Sequence, residues 1–269
     1  MLIKCDASQL EWRTKVFLSQ DKVGMKEIAD GEDFHSNNQE FFKLPSRLIA
    51  KVFVFRMIFA DAFGEQGFRG PAYAYANDPD FMPVSQSPKY WEKVVERFFE
   101  KYKEIHAHSI NLIRQATSTG KIVSPSGRFY RYVVRSNRHG VRDWSRSEIL
   151  NHVVQGLSAD LMQVARLELR YHLSQEVYRY KQALLINTVH DDIELDVAND
   201  PELVYNICTL SEDVFKSIPA KFEKLYGVPV NVPMAGECKF GMNMSEKSMV
   251  KFKRKSFYED WDEYTNSGN

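Results

Sequence analysis

Hydrophobic and polar positions alternate along this chain in a way that marks out most of its elements. The first run, MLIKC, is short and apolar, fits a buried strand, and closes at Asp6. A polar stretch around ADGEDFHSNNQ follows, and then PSRLIAKVFVFRMIFADAFG, a predicted helix opened by Pro45. RGPAYAYANDPDFMPVSQSP is broken by Pro71, Pro79, Pro83 and Pro88 and is expected to be a long loop. From Tyr90 the pattern predicts one long amphipathic helix, with Trp91, Val95, Phe98, Tyr102 and Ile105 on its apolar stripe. GKIVSPSGRFYRYVV has the form of a hairpin turned at Ser126 and Gly127. Ser145 and Glu148 make a capping box for the helix that carries NHVVQGLSADLMQVARLELRYHL. The runs LLINTV and IELDV flank a second hairpin, with His190, Asp191 and Asp192 at its tip. A helix near LVYNICTLSEDVFKSI, a strand VPVNVPM and a polar, mobile end SFYEDWDEYTNSGN complete the expected order. This is an α+β plan, with helices around a small antiparallel sheet, and no internal repeat is visible.

At 269 residues the chain can form one large domain or two small ones. A content of 43% hydrophobic and 27% charged residues is that of an ordinary globular protein. No apolar run approaches the roughly 20 residues that span a bilayer, and MLIKCDASQLEW lacks the pattern of a signal peptide. The cysteines Cys5, Cys208 and Cys238 are odd in number and form no CxxC pair. They fit a reducing, cytoplasmic setting rather than a disulfide framework or a zinc site.

Net charge is zero, so global charge gives no sign of nucleic acid, but its distribution does. Lys121, Arg128, Arg131, Arg135, Arg138, Arg142 and Arg146 are opposed within their segment by Asp143 alone. Such a stripe can neutralise phosphates. A merely solvated basic face has the same composition.

Three groupings carry possible chemistry. Asp6, in DASQLEWR, ends the first apolar run, where a carboxylate could meet a metal. Arg47, Lys51, Phe55 and Phe59 recur every fourth residue and share one slowly drifting helix face. The helix is otherwise apolar on nearly every side, with Leu48, Ile49, Val52, Phe53, Val54 and Ile58. Two cations followed by two rings suit a triphosphate with a sugar and base beyond it. The third grouping is His190, Asp191 and Asp192. Asp-rich turns are common in solvent, because Asp bonds its own backbone. A second carboxylate elsewhere in the chain turns the same residues into a candidate metal site.

In this order the three resemble the motifs of family A DNA polymerases. DASQLEWR is similar to the family's DYSQIELR, RLIAKVFVFRMIFA to RxxxKxxxFxxxYG, and VHDD to VHDE. Between them, DFHSNN resembles a DxH segment and NHVVQGLSAD an NxxxQGxxAD helix, so the resemblance runs from Met1 to about Met244. It implies a right-hand fold: a palm of small antiparallel sheet backed by helices, and helical fingers. The expected division is palm over 1–14, fingers over 15–118, palm again over 119–249, and a polar tail over 250–269.

The implied activity is DNA-directed transfer of a dNTP to a primer 3′ end, with two Mg²⁺ ions about 4 Å apart. By resemblance Asp6, Asp191 and the Ala7 carbonyl hold metal. Arg47, Lys51 and His35 meet the nucleotide phosphates, and Lys51 gives a proton to pyrophosphate. Phe55 lies on the deoxyribose, Phe59 near the template base, Glu11 excludes a ribose 2′ hydroxyl, and Gln9 completes the nucleotide set. Asn151, Gln155, Arg128 and His190 line the primer–template minor groove.

The chain departs from the family pattern at Ala7 (for Tyr), Trp12 (for Leu), Arg56 (for Gly), Phe59-Ala60 (for Tyr-Gly) and Asp192 (for Glu). These bear on sugar choice and fidelity more than on the chemistry. Only five residues precede Asp6, and thumb, early palm and exonuclease have no counterpart. The expectation is therefore a split, phage-like polymerase, with a separate N-terminal fragment as partner and an uncovered edge on the first strand. A single-subunit RNA polymerase and a catalytically silent DNA-binding or accessory protein are the alternatives. Glu11 argues against the first, and retention of Asp6, Asp191, Arg47 and Lys51 against the second.

Overall fold

The computed structural model describes residues 1–59, 67–136, 142–175 and 182–266. Arg138, Ala60 and the end of the expected Pro45 helix lie outside the described residues, as does the Arg142 side chain. In chain order the elements begin with β1 (Leu2–Ala7), α1 (Leu10–Ser19), α2 (Lys22–Ala29), α3 (Phe34–Phe42), α4 (Arg47–Phe59) and α5 (Arg69–Ala76). Next come α6 (Pro88–Lys101), α7 (Lys103–Thr119), β2 (Lys121–Val123), β3 (Phe129–Arg131), β4 (Arg135–Ser136) and β5 (Arg142–Asp143). The last are α8 (Arg146–Leu173), β6 (Ala183–Val189), β7 (Asp192–Val197), α9 (Pro201–Tyr226), β8 (Gly236–Gly241), β9 (Val250–Lys251) and α10 (Phe257–Asn266). No described helix is long and apolar enough to cross a membrane.

The chain divides into two compact units. One joins Met1–Leu10 to Ser158–Asn269 and holds an antiparallel sheet in the order β6-β7-β1-β8-β9. β1 alternates as the strand period requires, with Ile3, Cys5 and Ala7 buried and Asp6 exposed. It is not an edge strand, contrary to expectation, because β7 and β8 flank it on both sides. The sheet's outer strands are β6 and β9, and β6 leaves Leu184, Ile186 and Val189 exposed. α9 lays Val204, Ile207, Cys208, Val214, Phe215, Ile218 and Phe222 into the core. A Cβ on Gly236 would fall 2.6 Å from Cγ of Phe215, so this close approach of α9 to β8 requires glycine.

Several expectations fail in this unit for identifiable reasons. VPVNVPM is not a strand; Pro229 and Pro233 lack the N–H groups a ladder needs, though Val230, Val232 and Met234 are buried. The partner of β1 is instead GECKFG, with Cys238 and Phe240 pointing inward. The polar end is not a tail either. α10 buries Phe257, Trp261 and Tyr264, whose rings surround Phe240 at 5.3, 5.7 and 6.0 Å. The Tyr264 hydroxyl accepts the Met242 N–H at 2.7 Å.

The second unit, Glu11–Leu157, is helical with two small hairpins. Its core is aromatic: Trp12 stacks on Phe34 at 3.6 Å, and Phe42, Phe53, Tyr75, Phe81, Trp91 and Phe98 are fully buried or nearly so. Part of the expected loop is α5, since Pro71 falls in its first turn, where no N–H is missed. The single long helix from Tyr90 is two, α6 and α7, divided at Tyr102. Buried Asp21 caps α2 through the Gly24 N–H and also accepts the Glu104 and Ile105 N–H groups, so it starts α7 from 83 residues away. The unit boundaries fall at 10/11 and 157/158, whereas breaks at 14/15 and 118/119 were expected. Residues after 118 join this unit because Ile122 and Tyr132 pack with Leu112, Ala116, Ile149, Leu150 and Val153.

Lys15 is fully buried, its ammonium bonded to the Ser109 hydroxyl at 2.9 Å, with the half-buried His108 imidazole nearby. Burial lowers its pKa from 10.5 to about 7. Between these values the unfolded chain binds more protons, so this group makes stability rise with pH across that window and stay level below it. Lys15→Met should flatten that rise and stabilise the fold at pH 7 by about 2–4 kcal/mol. Chemical denaturation of both proteins from pH 6 to 10 measures it, and parallel curves would contradict it.

Candidate active site

The carboxylates are brought together by strand register. Asp6 stands directly opposite Asp192, and Asp191 occupies the β6–β7 turn. The turn is tied to β1 by the Ala7 N–H, which donates to the Asp191 carbonyl at 3.0 Å. The Ser8 N–H reaches the Ala235 carbonyl at 2.9 Å. One oxygen each from Asp6, Asp191 and Asp192 lies within 4.8 Å of the others. His190 and Gln9 sit beside them with φ of +55° and +54°, a left-handed backbone that costs non-glycine residues about 1 kcal/mol each.

Burial and like charge dominate the electrostatics of this cluster, with Lys4 as its counter-charge. Burial, then Asp191, then Asp192 push the Asp6 carboxyl up to about 7. Burial also raises Asp192 against the pull of Lys4, whose ammonium lies 3.0 Å from its Oδ2. Asp192 Oδ1 is buried and has no hydrogen-bond partner among the described residues. Lys4 also holds Glu246 at 2.8 Å, and Lys239 bonds the same carboxylate, keeping its pKa near about 2. Clustered hard oxygen donors with an unsatisfied buried oxygen fit a divalent cation such as Mg²⁺.

The helical unit assembles a second group. Asp33 caps α3 through the His35 and Ser36 N–H groups, both at 2.9 Å, and accepts Arg47 Nη2 at 2.7 Å. From α4, Arg47 and Lys51 are exposed, and Phe55 and Phe59 are half-buried. The His35 and Phe55 rings stack at 5.9 Å, Phe55 and Phe59 at 6.3 Å, and Lys51 Nζ is 5.8 Å from the Phe55 centroid. Burial first, then Arg47, lowers the His35 pKa to about 4. At neutral pH His35 therefore offers a neutral hydrogen bond and no charge. Its Nδ1 is buried without a partner among the described residues. Glu11 lies half-buried in the first turn of α1.

A third group forms where the β2–β3 hairpin meets α8. Arg128, Arg131 and Lys121 are exposed, whereas Arg135 pairs with Glu148 and Arg146 with Asp143, so the basic stripe is only partly open. Asn151 carries a buried Oδ1 without a partner among the described residues, and Gln155, one turn on, is exposed. Sequence reading passed over the residue that fixes this junction. A Cβ on Gly156 would collide with the Tyr130 hydroxyl and come 3.2 Å from Arg128 Cδ. It also passed over Lys4, visible as a cation two residues before Asp6 and so on its face of the strand, and Asp33, visible as the first residue of DFHSNN.

Comparison with known proteins follows the same residues. Residues 1–246 match DNA polymerase family A, and the chain belongs to that family. DNA polymerase I of Caldicellulosiruptor bescii is 23% identical over 91% of this chain and 27% of its own length. The thermostable DNA polymerase I of Thermus filiformis is 25% identical over the same shares, 91% and 27%. The chain thus spans about a quarter of the length of these relatives. Among solved structures, the POL domain of Pol1 from M. smegmatis, in complex with DNA primer-template and dNTP, shares the fold. Its TM-score is 0.67 at 20% identity, over 89% of this chain and 39% of that one.

Gly156→Ala should force the hairpin off α8 and cost about 1–3 kcal/mol. With Tyr130→Ala in the same chain, the cost of the pair should fall short of the sum of the two single changes. Thermal unfolding of the four proteins tests this; strict additivity would remove the Gly156–Tyr130 contact from the account.

Proposed function

We propose that the chain carries the nucleotidyl-transfer machinery of a DNA-directed DNA polymerase, adding dNTPs to a primer 3′ end. The supporting observation is the three-carboxylate cluster at the β1 and β7 ends, in a family A chain that also builds the cation-and-ring face of α4. Two Mg²⁺ ions, when bound, would activate the primer hydroxyl and take up charge on the departing pyrophosphate. Asp6, Asp191 and the Ala7 carbonyl would hold them, Gln9 would complete the nucleotide contacts, and His190 would line the primer–template minor groove.

The residues of the helical unit bind and orient the nucleotide. Arg47 grips phosphate oxygens as a planar fork, exchanging or sharing its bond to Asp33, while Lys51 neutralises charge and donates a proton to pyrophosphate. His35 adds a neutral hydrogen bond. Phe55 lies against the deoxyribose, Phe59 against the template base, and Glu11 excludes a 2′ hydroxyl. Asn151 and Gln155 read the minor groove, the Asn151 oxygen, without a partner among the described residues, accepting from a base edge, and Arg128 meets backbone phosphate.

Primer extension by the purified protein, in Mg²⁺ with a labelled primer–template, tests the reading. Asp191→Ala should reduce incorporation by about a hundredfold or more while leaving DNA affinity within about twofold, since DNA affinity rests on cationic side chains. Template-dependent extension that survives Asp191→Ala at the wild-type rate would overturn it.

Sugar choice gives an independent check. Phe55 offers a ring without a hydroxyl, so the bound nucleotide must supply its own 3′ hydroxyl contacts. Phe55→Tyr should raise the incorporation of dideoxynucleotides relative to deoxynucleotides, with ordinary extension retained. An unchanged ratio in mixed-nucleotide extension would take Phe55 away from the sugar.

A further inference from the structure

Lys4 is a lysine at the centre of an acidic site, and the roles above do not use it. It lies two residues before Asp6 on β1, so both side chains emerge on one face of the sheet. Asp192 stands opposite Asp6, which places it diagonally across from Lys4. The ammonium is 3.0 Å from Asp192 Oδ2 and 2.8 Å from Glu246 Oε1, and Lys239 holds the other oxygen of Glu246. Lys4 is thus clamped between two carboxylates from different parts of the chain, and both hydrogen bonds stabilise its charged form.

We propose that Lys4 is a positioning residue that withholds Asp192 from the metal site, so that ions are held by Asp6 and Asp191 and can exchange. The proposal rests on the reading of the cluster as a cation site. Geometrically, Asp192 qualifies as a third ligand, since its carboxylate oxygen lies within 4.8 Å of those of Asp6 and Asp191. One of its oxygens is occupied by Lys4, and the other is buried with no partner among the described residues. A buried carboxylate needs a counter-charge. With the ammonium in place that charge is internal. Without it, a cation bound between Asp6 and Asp191 can supply that charge, and Asp192 would join the coordination shell in place of a water. A third carboxylate tightens binding of a hard divalent or trivalent ion, because affinity at oxygen sites follows the number of charged ligands.

The test reads coordination directly, using Tb³⁺ luminescence and Mn²⁺ binding by electron paramagnetic resonance on the intact protein. Lys4→Met should lower the Mn²⁺ Kd by about tenfold and reduce the number of waters on bound Tb³⁺, from lifetimes in H₂O and D₂O, by about one. Lys4→Gln, which keeps a polar group at this position, should shift both in the same direction, and Lys4→Arg should restore wild-type values. Adding Asp192→Asn to Lys4→Met should return the hydration number to that of the wild type, whereas adding Glu246→Gln should not. Unchanged hydration and affinity in both Lys4→Met and Lys4→Gln would overturn the proposal, as would weaker binding. Failure of the underlying reading looks different: wild-type protein would bind neither ion, or Asp6→Ala and Asp191→Ala would leave binding intact.

Discussion

The pairing of β1 with strands on both sides is the constraint on which the acidic cluster depends. Like charges within a few ångströms repel, and the single nearby ammonium of Lys4 does not offset three carboxylates. What holds them is a row of backbone hydrogen bonds, with Ile3 and Cys5 buried against Leu195, Ile193, Cys238 and Phe240. A shift of β1 by one residue would turn Asp6 into the core and Cys5 out of it, so the apolar face enforces the register that the carboxylates need. The repulsion is then tolerated as a standing cost at one end of a well-buried sheet.

The helical unit follows a different logic, in which single polar groups organise long stretches of chain. Asp21 starts two helices, and Asp33 caps one helix while holding the Arg47 fork. The Tyr102 hydroxyl bonds Glu27 and Asn38 at the point where α6 gives way to α7. Asp21, Glu27, Asn38 and Tyr102 are buried, so their hydrogen bonds are made where water competes little, whereas the Asp33–Arg47 pair is open to solvent. That stiffness suits a surface that must present Arg47, Lys51, Phe55 and His35 in fixed relation.

How much of this was legible follows from which signals are local. The β1 strand, the α4 face and the β6–β7 turn declare themselves because their chemistry is contiguous, and the motif order identified the family from them. β8 was missed because Gly236, Glu237 and Lys239 mask the period-two pair Cys238 and Phe240. VPVNVPM was misread because its valines suggest a strand while its two prolines forbid the ladder. The break at Tyr102 has no Gly or Pro to announce it; its cause is Asp21, remote in sequence. α10 hid beneath five acidic or amide residues, although Phe257, Trp261 and Tyr264 fall at i, i+4 and i+7, the spacing of one helix face. Lys4 was legible as a residue but not as a partner of Glu246, 242 positions away.

The segment after Glu246 bears on what keeps this sheet covered. β9 covers the outer edge of β8, and α10 roofs Phe240 with three aromatic rings, all beyond the residues that match the family. The part that matches the family is thus covered by residues beyond that match. Homology boundaries and folding boundaries do not coincide here. Trimming the chain to the former would strip an apolar wall from the very sheet that carries Asp6 and leave backbone amides of β8 unpaired.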